Sequence, residues 1–117
     1  MKEIHLQRAI VETLNYNHCL VWRTNSGLLG VGEGRSKRMV RVGYAGQSDI
    51  QGIHKLSGRF IAIEVKLPET RNRVSDLQQQ FLDNIFEAGG IVGVATSTDE
   101  ALAIIKEYER KSKNAKR

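Results

Sequence analysis

The sequence predicts a small α/β domain with a mixed central sheet that is flanked by helices. Its order of elements is a helix, several antiparallel strands, a second helix, one more strand and a last helix. The helices have apolar residues at intervals of three and four, whereas the strands have them at alternate positions. A chain of 117 residues is long enough for one domain with a modest core.

The first helix is predicted over residues 3–15. Ile10 and Leu14 lie on one helical face, and Glu3 lies at the start of the same apolar stripe. The stripe therefore directs Glu3 toward the interior. Two alternatives stay open, because an acid in a first turn also complements the helix dipole and because Glu12 is a second acid on this helix.

A short strand is predicted at residues 20–23, and a glycine-rich segment follows at residues 25–38. Such a segment is typical of a flexible loop or a hairpin arm. It ends in three cations, Arg35, Lys37 and Arg38. These cations either bind a polyanion or lie on a loop that is simply exposed to water.

The middle of the chain predicts three strands, at residues 39–44, 49–54 and 59–66. The segment KLSG at residues 55–58 predicts the turn that joins the last two. In IAIEVK, the end of the third strand, alternation sends one set of side chains into the core and presents an acid and an amine on the opposite face. Pro68 ends this strand.

The last third of the chain predicts a helix, a strand and a helix. Leucine, isoleucine and phenylalanine recur at helical spacing over residues 74–88, and Gly89 and Gly90 stop that helix. A buried strand follows at residues 91–95. The last helix begins at Thr98.

The chain ends in a basic stretch that is too polar to pack, KEYERKSKNAKR at residues 106–117. We therefore expect one domain at residues 1–110 and a basic tail at residues 111–117.

Charge and cysteine content limit the partners and the compartment. Lys and Arg outnumber Asp and Glu by 18 to 13, which gives a net charge of +5 and favours a polyanionic partner. The single Cys19 excludes an internal disulfide, and the N-terminus has no apolar signal core or membrane span. We therefore expect an intracellular, cytoplasmic protein with no membrane partner.

Two acids and an amine meet in the predicted hairpin. If His54 pairs with Arg59, Asp49 lies directly opposite Glu64, and if the turn slides by one residue, Asp49 lies opposite Lys66. In both registers the three side chains share one face, with opposed Cβ atoms roughly 5 Å apart. The intermediate register, which a bulge could produce, would separate them.

Two carboxylates at that distance repel each other unless a proton or a cation lies between them. Oxygen ligands suit Mg²⁺ or Mn²⁺, and Mg²⁺ takes only one or two protein carboxylates and fills its other positions with water and phosphate. Lys66 could orient an attacking water or stabilise the charge that grows on a phosphate. Asp49, Glu64 and Lys66 are therefore a candidate phosphodiesterase site.

The same residues resemble a known signature. Asp49, followed after a hairpin by Glu64, Val65 and Lys66, resembles the PD-(D/E)xK nuclease motif, with Ser48 where proline is usual. The segments GQSDIQG, GRFIAIEVK, SDLQQQFLDNIFEAGG and STDEAL resemble the VRR-NUC (virus-type replication-repair nuclease) domain. The resemblance covers residues 3–105, and it points to the minimal stand-alone form that bacteria or phages encode.

This resemblance implies a restriction-endonuclease-like αβββαβ core and a role for each site residue. The implied metal ligands are Glu3, Asp49, Glu64 and the carbonyl of Val65. Lys66 would be the catalytic base or charge stabiliser, and Gln78 would reach the site from the second long helix as a further catalytic residue that helps to position the nucleophile. Ser75 and Gln78 also form an S-x-x-Q capping box, which by itself explains Gln78.

The resemblance also implies a Mg²⁺- or Mn²⁺-dependent DNA endonuclease. Its substrate would be branched DNA such as Holliday junctions in replication and repair, and it would act as a homodimer whose two-fold symmetry matches a four-way junction. On this basis we expect Arg35, Lys37 and Arg38 to contact DNA. The alternatives are a non-catalytic DNA-binding module and a nuclease for flap, nicked or linear DNA, of restriction or Cas-like type.

Overall fold

The computed structural model describes residues 1–24 and 27–115. Three α-helices lie in this part of the chain: α1 (Glu3–Asn15), α2 (Asp76–Glu87) and α3 (Thr98–Ala115). Six strands accompany them: β1 (Cys19–Arg23), β2 (Gly27–Val31), β3 (Arg38–Val42), β4 (Ile50–His54), β5 (Phe60–Val65) and β6 (Ile91–Ala95). The predicted fold class, a mixed sheet flanked by helices, is confirmed.

The central sheet has four strands in the order β1, β4, β5, β6. β4 pairs with its two neighbours in antiparallel fashion, whereas β5 and β6 are parallel. The parallel pair follows from the connection, because the chain crosses over through α2 between β5 and β6. With β2 and β3 set aside, the chain order is the αβββαβ core that the sequence predicted, followed by α3.

Helices cover both faces of this sheet. Helices α1 and α3 pack on one face, around a core of buried residues: Leu6, Ile10, Leu14, Cys19, Val21, Ile50, Ile61, Ile63, Val65, Ile91, Ala95, Ala101 and Ile105. Helix α2 packs on the opposite face, against β5 and β6. Ala62 and Glu64 are consequently as buried as Ile61 and Ile63. Glu64 lies on the face of β5 opposite Ile61 and Ile63, as the alternation predicted, and α2 covers that face as well.

Helix α2 leaves the outer half of its face uncovered. Leu20 and Ile53 are cross-strand partners, and so are Ile53 and Phe60, so these side chains share one face with Trp22. Their exposed fractions are 54% for Leu20, 45% for Trp22, 39% for Ile53 and 36% for Phe60. We call these four residues the open sheet face.

The glycine-rich segment forms a hairpin arm rather than a loop. β2 and β3 pair only with each other, and a 3₁₀ turn at Gly34–Ser36 lies between them. The strand expected at residues 39–44 is β3, and it belongs to this arm rather than to the central sheet. Residues 25 and 26, where the segment was predicted to begin, lie outside the described residues.

The outer edge of β1 carries a side chain from α1. The amide group of Asn15 donates to the carbonyl of Val21 at 3.2 Å, and its oxygen accepts the backbone N–H of Val21 at 2.8 Å. These two bonds occupy the free backbone groups at the middle of the edge strand.

The basic C-terminal stretch was predicted not to pack, and for two of its residues that was wrong. α3 continues to Ala115, and Tyr108 packs against the core. Oε2 of Glu109 lies 2.8 Å from Nε2 of the buried His54, so the two side chains form a hydrogen bond or an ion pair. The domain boundary at residue 110 stays a prediction. Among residues 1–24 and 27–115, no helix combines the length and the apolarity that crossing a bilayer demands.

Candidate active site

Two carboxylates meet where β4 begins and β5 ends. Ile50 pairs with Ile63, so Asp49, the residue before β4, lies opposite Glu64. This is the first of the two predicted registers. Asp49 also accepts the backbone N–H of Val65 through Oδ2 at 2.9 Å, which fixes its carboxylate at the end of β5.

Glu64 is a buried acid with one partnered and one unpartnered oxygen. Its side chain is 1% exposed. Oε1 accepts a hydrogen bond from Nε2 of Gln78 at 3.1 Å and lies 3.8 Å from Nζ of Lys66. Oε2 is buried and has no hydrogen-bond partner in the part of the chain that the structure describes. A buried polar atom without a partner is costly, so this oxygen marks the place for a further group.

The electrostatics of the site agree with this geometry. Burial, and after it the neighbouring carboxyl group of Asp49, raise the pKa of Glu64 well above its usual range, although Lys66 acts in the opposite direction. Burial, and after it Asp49, also raise the pKa of Glu3. Because a neighbouring carboxyl group that raises the pKa of a buried acid favours the loss of one charge, this site suits a proton or a bound cation.

Gln78 forms the capping box and also reaches Glu64, while its catalytic role stays a prediction. Its backbone N–H donates to Oγ of Ser75 at 3.1 Å, and its side-chain oxygen accepts the N–H of Ser75 at 2.9 Å. These two bonds form the predicted capping box of α2. Because its Nε2 donates to Glu64 at the same time, the start of α2 is joined to the acid.

Glu3 lies close enough to the pair for Asp49 and Lys66 to act on its pKa. It also hydrogen-bonds to Gln7, whose oxygen accepts Nε of Arg23 at 2.9 Å. The first turns of α1 are thereby tied to the end of β1. Glu12, the rival acid on this helix, is exposed further along it.

The residues present fit a hard divalent cation. Among the described residues no cluster of three His, Cys, Asp or Glu side chains could by itself hold a metal ion. Mg²⁺ needs no such cluster, because it binds through one or two carboxylates and keeps several waters. Asp49 and Glu64 supply that pair, and the unpartnered Oε2 of Glu64 is free to be a ligand. Val65 brings its backbone to the same place.

Among the described residues, the cations of the hairpin arm form no hydrogen bond or ion pair with Asp49 or Glu64. Arg35, Lys37 and Arg38 are exposed, and within the described residues they form no ion pair. They are available to a partner from solution, whereas the sheet register does not bring them to Asp49 and Glu64.

Sequence reasoning missed the contacts that fix the connection between β5 and α2. Arg71 in this connection donates to Thr96, which directly follows β6, and pairs with Glu100 in the first turn of α3. Partners 25 and 29 positions apart follow no helical or strand period, so no local signal indicated them.

Comparison with known proteins gives one family. A family model for the VRR-NUC domain matches residues 1–99 of the chain. The matched region includes Glu3, Asp49, Glu64, Lys66 and Gln78. No curated protein matches the chain.

Proposed function

Because the chain belongs to the VRR-NUC domain family, whose function is of the nuclease type, we propose that it is a Mg²⁺- or Mn²⁺-dependent DNA endonuclease. Its substrate is branched DNA, such as Holliday junctions in replication and repair. The observation that carries the metal dependence is the buried, unpartnered Oε2 of Glu64 beside Asp49. A cation between the two carboxylates removes their repulsion and gives that oxygen a partner.

In this proposal Asp49 and Glu64 hold the metal ion, with the carbonyl of Val65 as a further ligand and Glu3 at the margin of the site. When bound, the ion supplies Lewis acidity toward a phosphate oxygen and lowers the pKa of a coordinated water. The protein fixes the two carboxylates. The N–H of Val65 holds Asp49 at 2.9 Å, and the amide of Gln78 holds Glu64 at 3.1 Å.

Lys66 is the group that acts on the nucleophile or on the phosphate. Its side chain is 13% exposed, and Nζ lies 3.8 Å from Oε1 of Glu64. That distance is too long for a good hydrogen bond and leaves Nζ with donors for a water or a phosphate oxygen. Its positive charge beside the scissile group stabilises the charge that develops as the phosphodiester is attacked.

Charge outside the site supports DNA as the substrate. The net charge of +5 favours a polyanion, and the exposed Arg35, Lys37 and Arg38 place three cations on the hairpin arm. We assign them to contacts with DNA phosphates. Such contacts make binding weaker as salt increases, with a slope that reports the number of phosphates.

We further propose that the protein acts as a homodimer. The open sheet face supports this, because its side chains are apolar and carry no charge that would attract DNA. Contiguous exposed apolar surface of this kind marks a protein interface, and two-fold dimers are by far the commonest assembly. Sedimentation of the native protein and of Ile53→Arg tests it, because a charge at the centre of the face should produce monomers.

The test of the enzyme proposal is cleavage of labelled four-way junction, splayed-arm, flap, nicked and linear duplex DNA. Each DNA is incubated with Mg²⁺, Mn²⁺ or EDTA. Native protein is compared with Asp49→Ala, Lys66→Ala and the control Glu69→Gln, an exposed acid that makes no side-chain hydrogen bond or ion pair with the described residues. We expect metal-dependent cutting that the two site variants lose and the control keeps.

The preferred DNA in this assay identifies the substrate. Equal cutting of linear and branched DNA would contradict the branched-DNA proposal and leave a nuclease of other preference. Binding to every DNA without cutting in either metal would instead indicate a non-catalytic DNA-binding module. In that case Asp49→Ala would bind DNA as the native protein does.

A further inference from the structure

One connection joins two residues of the candidate site, Lys66 after the end of β5 and Gln78 in the first turn of α2. It leaves β5 at Lys66 and enters α2 at Ser75, and we call residues 66–75 the site loop. The backbone N–H of Lys66 donates to the carbonyl of Ala95 at 3.0 Å at one end. The capping box of Ser75 and Gln78 fixes the other end. Most of the residues between these ends are exposed to solvent.

Between its ends the site loop has a single side chain that forms hydrogen bonds with the rest of the described chain. Its 3₁₀ turn, Pro68–Thr70, is closed by hydrogen bonds within the loop itself. Among the described residues, the side chain of Arg71 alone joins positions 67–74 by hydrogen bonds to the rest of the chain. It donates to Oγ1 of Thr96 at 2.9 Å and forms an ion pair with Glu100.

The acceptors of Arg71 are themselves held firmly. Oε1 of Glu100 accepts both the N–H and the hydroxyl of Thr96, each at 2.6 Å. Thr96 directly follows Ala95, which pairs with Val65 at the end of β5. Hydrogen bonds from Thr96 and Arg71 lower the pKa of Glu100 to about 2, so its carboxylate stays charged at neutral pH. Arg71 therefore binds a charged, fixed group next to the strand that bears Glu64.

We propose that Arg71 is a positioning residue, which latches the site loop to the start of α3 and thereby keeps Lys66 and Gln78 within reach of their common acid. The expected effect of the Arg71 contacts on catalysis rests on the proposed nuclease function. Their effect on the loop is independent of that function.

The ion pair of Arg71 and Glu100 should restrain the site loop without adding much to the stability of the whole fold. The side chains of Arg71 and Glu100 are 47% and 38% exposed, and exposed ion pairs contribute little to the stability of a fold. Removing the pair should shift the melting temperature by less than about 3 °C. It should release the loop, and a displacement of about 1 Å at a reacting group can slow a reaction by a factor on the order of 100.

The experiment compares Arg71→Ala, Glu100→Gln and the double variant with native protein. The control is Arg73→Ala, because Arg73 lies on the same loop, is exposed and forms no side-chain hydrogen bond or ion pair with the described residues. Hydrogen exchange of residues 67–74 is measured without DNA or metal. Values of kcat and KM are measured on the DNA that the native protein cuts, at several salt concentrations.

We expect both single variants to exchange these amides faster, by about fivefold or more, and to lose kcat by about tenfold or more with little change in KM. The double variant should be no worse than Arg71→Ala, because that variant already removes the ion pair with Glu100. Arg71→Lys should recover part of kcat, since it keeps the charge. The control should match native protein in every measurement.

Two results would overturn the proposal. One is unchanged exchange of the loop in Arg71→Ala. The other is a raised KM with unchanged kcat and a smaller salt dependence in Arg71→Ala alone, which would mean that Arg71 contacts a phosphate directly. If native protein cuts no DNA, the proposed nuclease function fails, and the exchange data still decide whether Arg71 holds the loop.

Discussion

Replacing Glu64 by glutamine should stabilise the metal-free protein and remove its response to metal. In the absence of metal, Glu64 lies buried opposite Asp49, and its raised pKa means that it must either keep its charge there or take up a proton, both of which cost free energy at neutral pH. Glutamine has the same shape and no charge. Its oxygen can still accept the amide of Gln78, and its NH₂ group takes the place of Oε2 and can donate to the carboxylate of Asp49.

The size of the effect follows from these contacts. If Glu64 keeps its charge, its buried oxygen without a partner costs about 1–3 kcal/mol. If it takes up a proton instead, that uptake lowers the free energy of unfolding at every pH above the ordinary pKa of a glutamate. Loss of the ion pair between Glu64 and Lys66, which are 3.8 Å apart, offsets part of this gain. We expect a net stabilisation of about 1–2 kcal/mol. For a domain of this size that is a rise in melting temperature of roughly 4–8 °C.

The assay is thermal unfolding in EDTA and in saturating Mg²⁺ or Mn²⁺. A ligand at 100 times its Kd stabilises a protein by about 2.7 kcal/mol, so native protein should melt roughly 10 °C higher with metal than in EDTA. Glu64→Gln should melt at the same temperature in both. The control Glu69→Gln, an exposed acid on the site loop, should behave as native protein does.

The reasoning is refuted if Glu64→Gln melts below native protein in EDTA. That outcome would mean that the charged carboxylate has a favourable partner in the metal-free fold. It is equally refuted if Glu64→Gln keeps the full metal response, because the ion would then bind elsewhere.

Three further predictions concern the frame around the site. Asn15→Ala should destabilise the fold by about 1–2 kcal/mol in urea unfolding, because it removes both hydrogen bonds to the edge strand β1. An unchanged urea midpoint would show that water replaces these two hydrogen bonds with no loss of stability. Gly52→Ala should lower the free energy of unfolding by more than about 3 kcal/mol in the same assay, because its Cβ would lie 2.1 Å from the backbone oxygen of Leu20. A loss of less than about 1 kcal/mol would contradict the close approach of β1 and β4 at this position. The pKa of Glu100 is about 2 in the folded protein and 4.5 unperturbed, so its stabilising contacts are complete above pH 4.5 and are lost as the pH falls toward 2. The difference in melting temperature between native protein and Glu100→Gln should therefore be constant from pH 5 to 8 and shrink below pH 4.5, and a difference that persisted at pH 2 would contradict the assignment.

The register of the central hairpin could be predicted because a strand has only two faces. Once a turn was placed at residues 55–58, either of two registers brought Asp49, Glu64 and Lys66 to one face, and the structure has the first of them. The capping box at Ser75 could also be predicted from the sequence, since it depends on two residues that are three positions apart.

Features that depend on distant contacts could not be predicted in this way. The burial of Glu64 depends on α2 lying over its side of β5, which no local pattern indicates. The packing of Glu109 depends on His54, 55 positions earlier in the chain. The glycine-rich segment was compatible with both a loop and a hairpin. Its many glycines interrupt the alternation of apolar and polar side chains by which a strand is predicted.

The two hydrogen bonds of the Gln78 side chain restrict what evolution or an engineer can place there. The N–H of Ser75 needs an acceptor, whereas Oε1 of Glu64 needs a donor. Glutamate could serve only the first and lysine only the second, and asparagine is one carbon too short to keep the same reach. A single amide therefore links the nucleation of α2 to the orientation of an acid. A change at this position cannot alter the hydrogen bond to Glu64 without also weakening the cap of α2, so the orientation of this acid and the stability of the helix start are coupled.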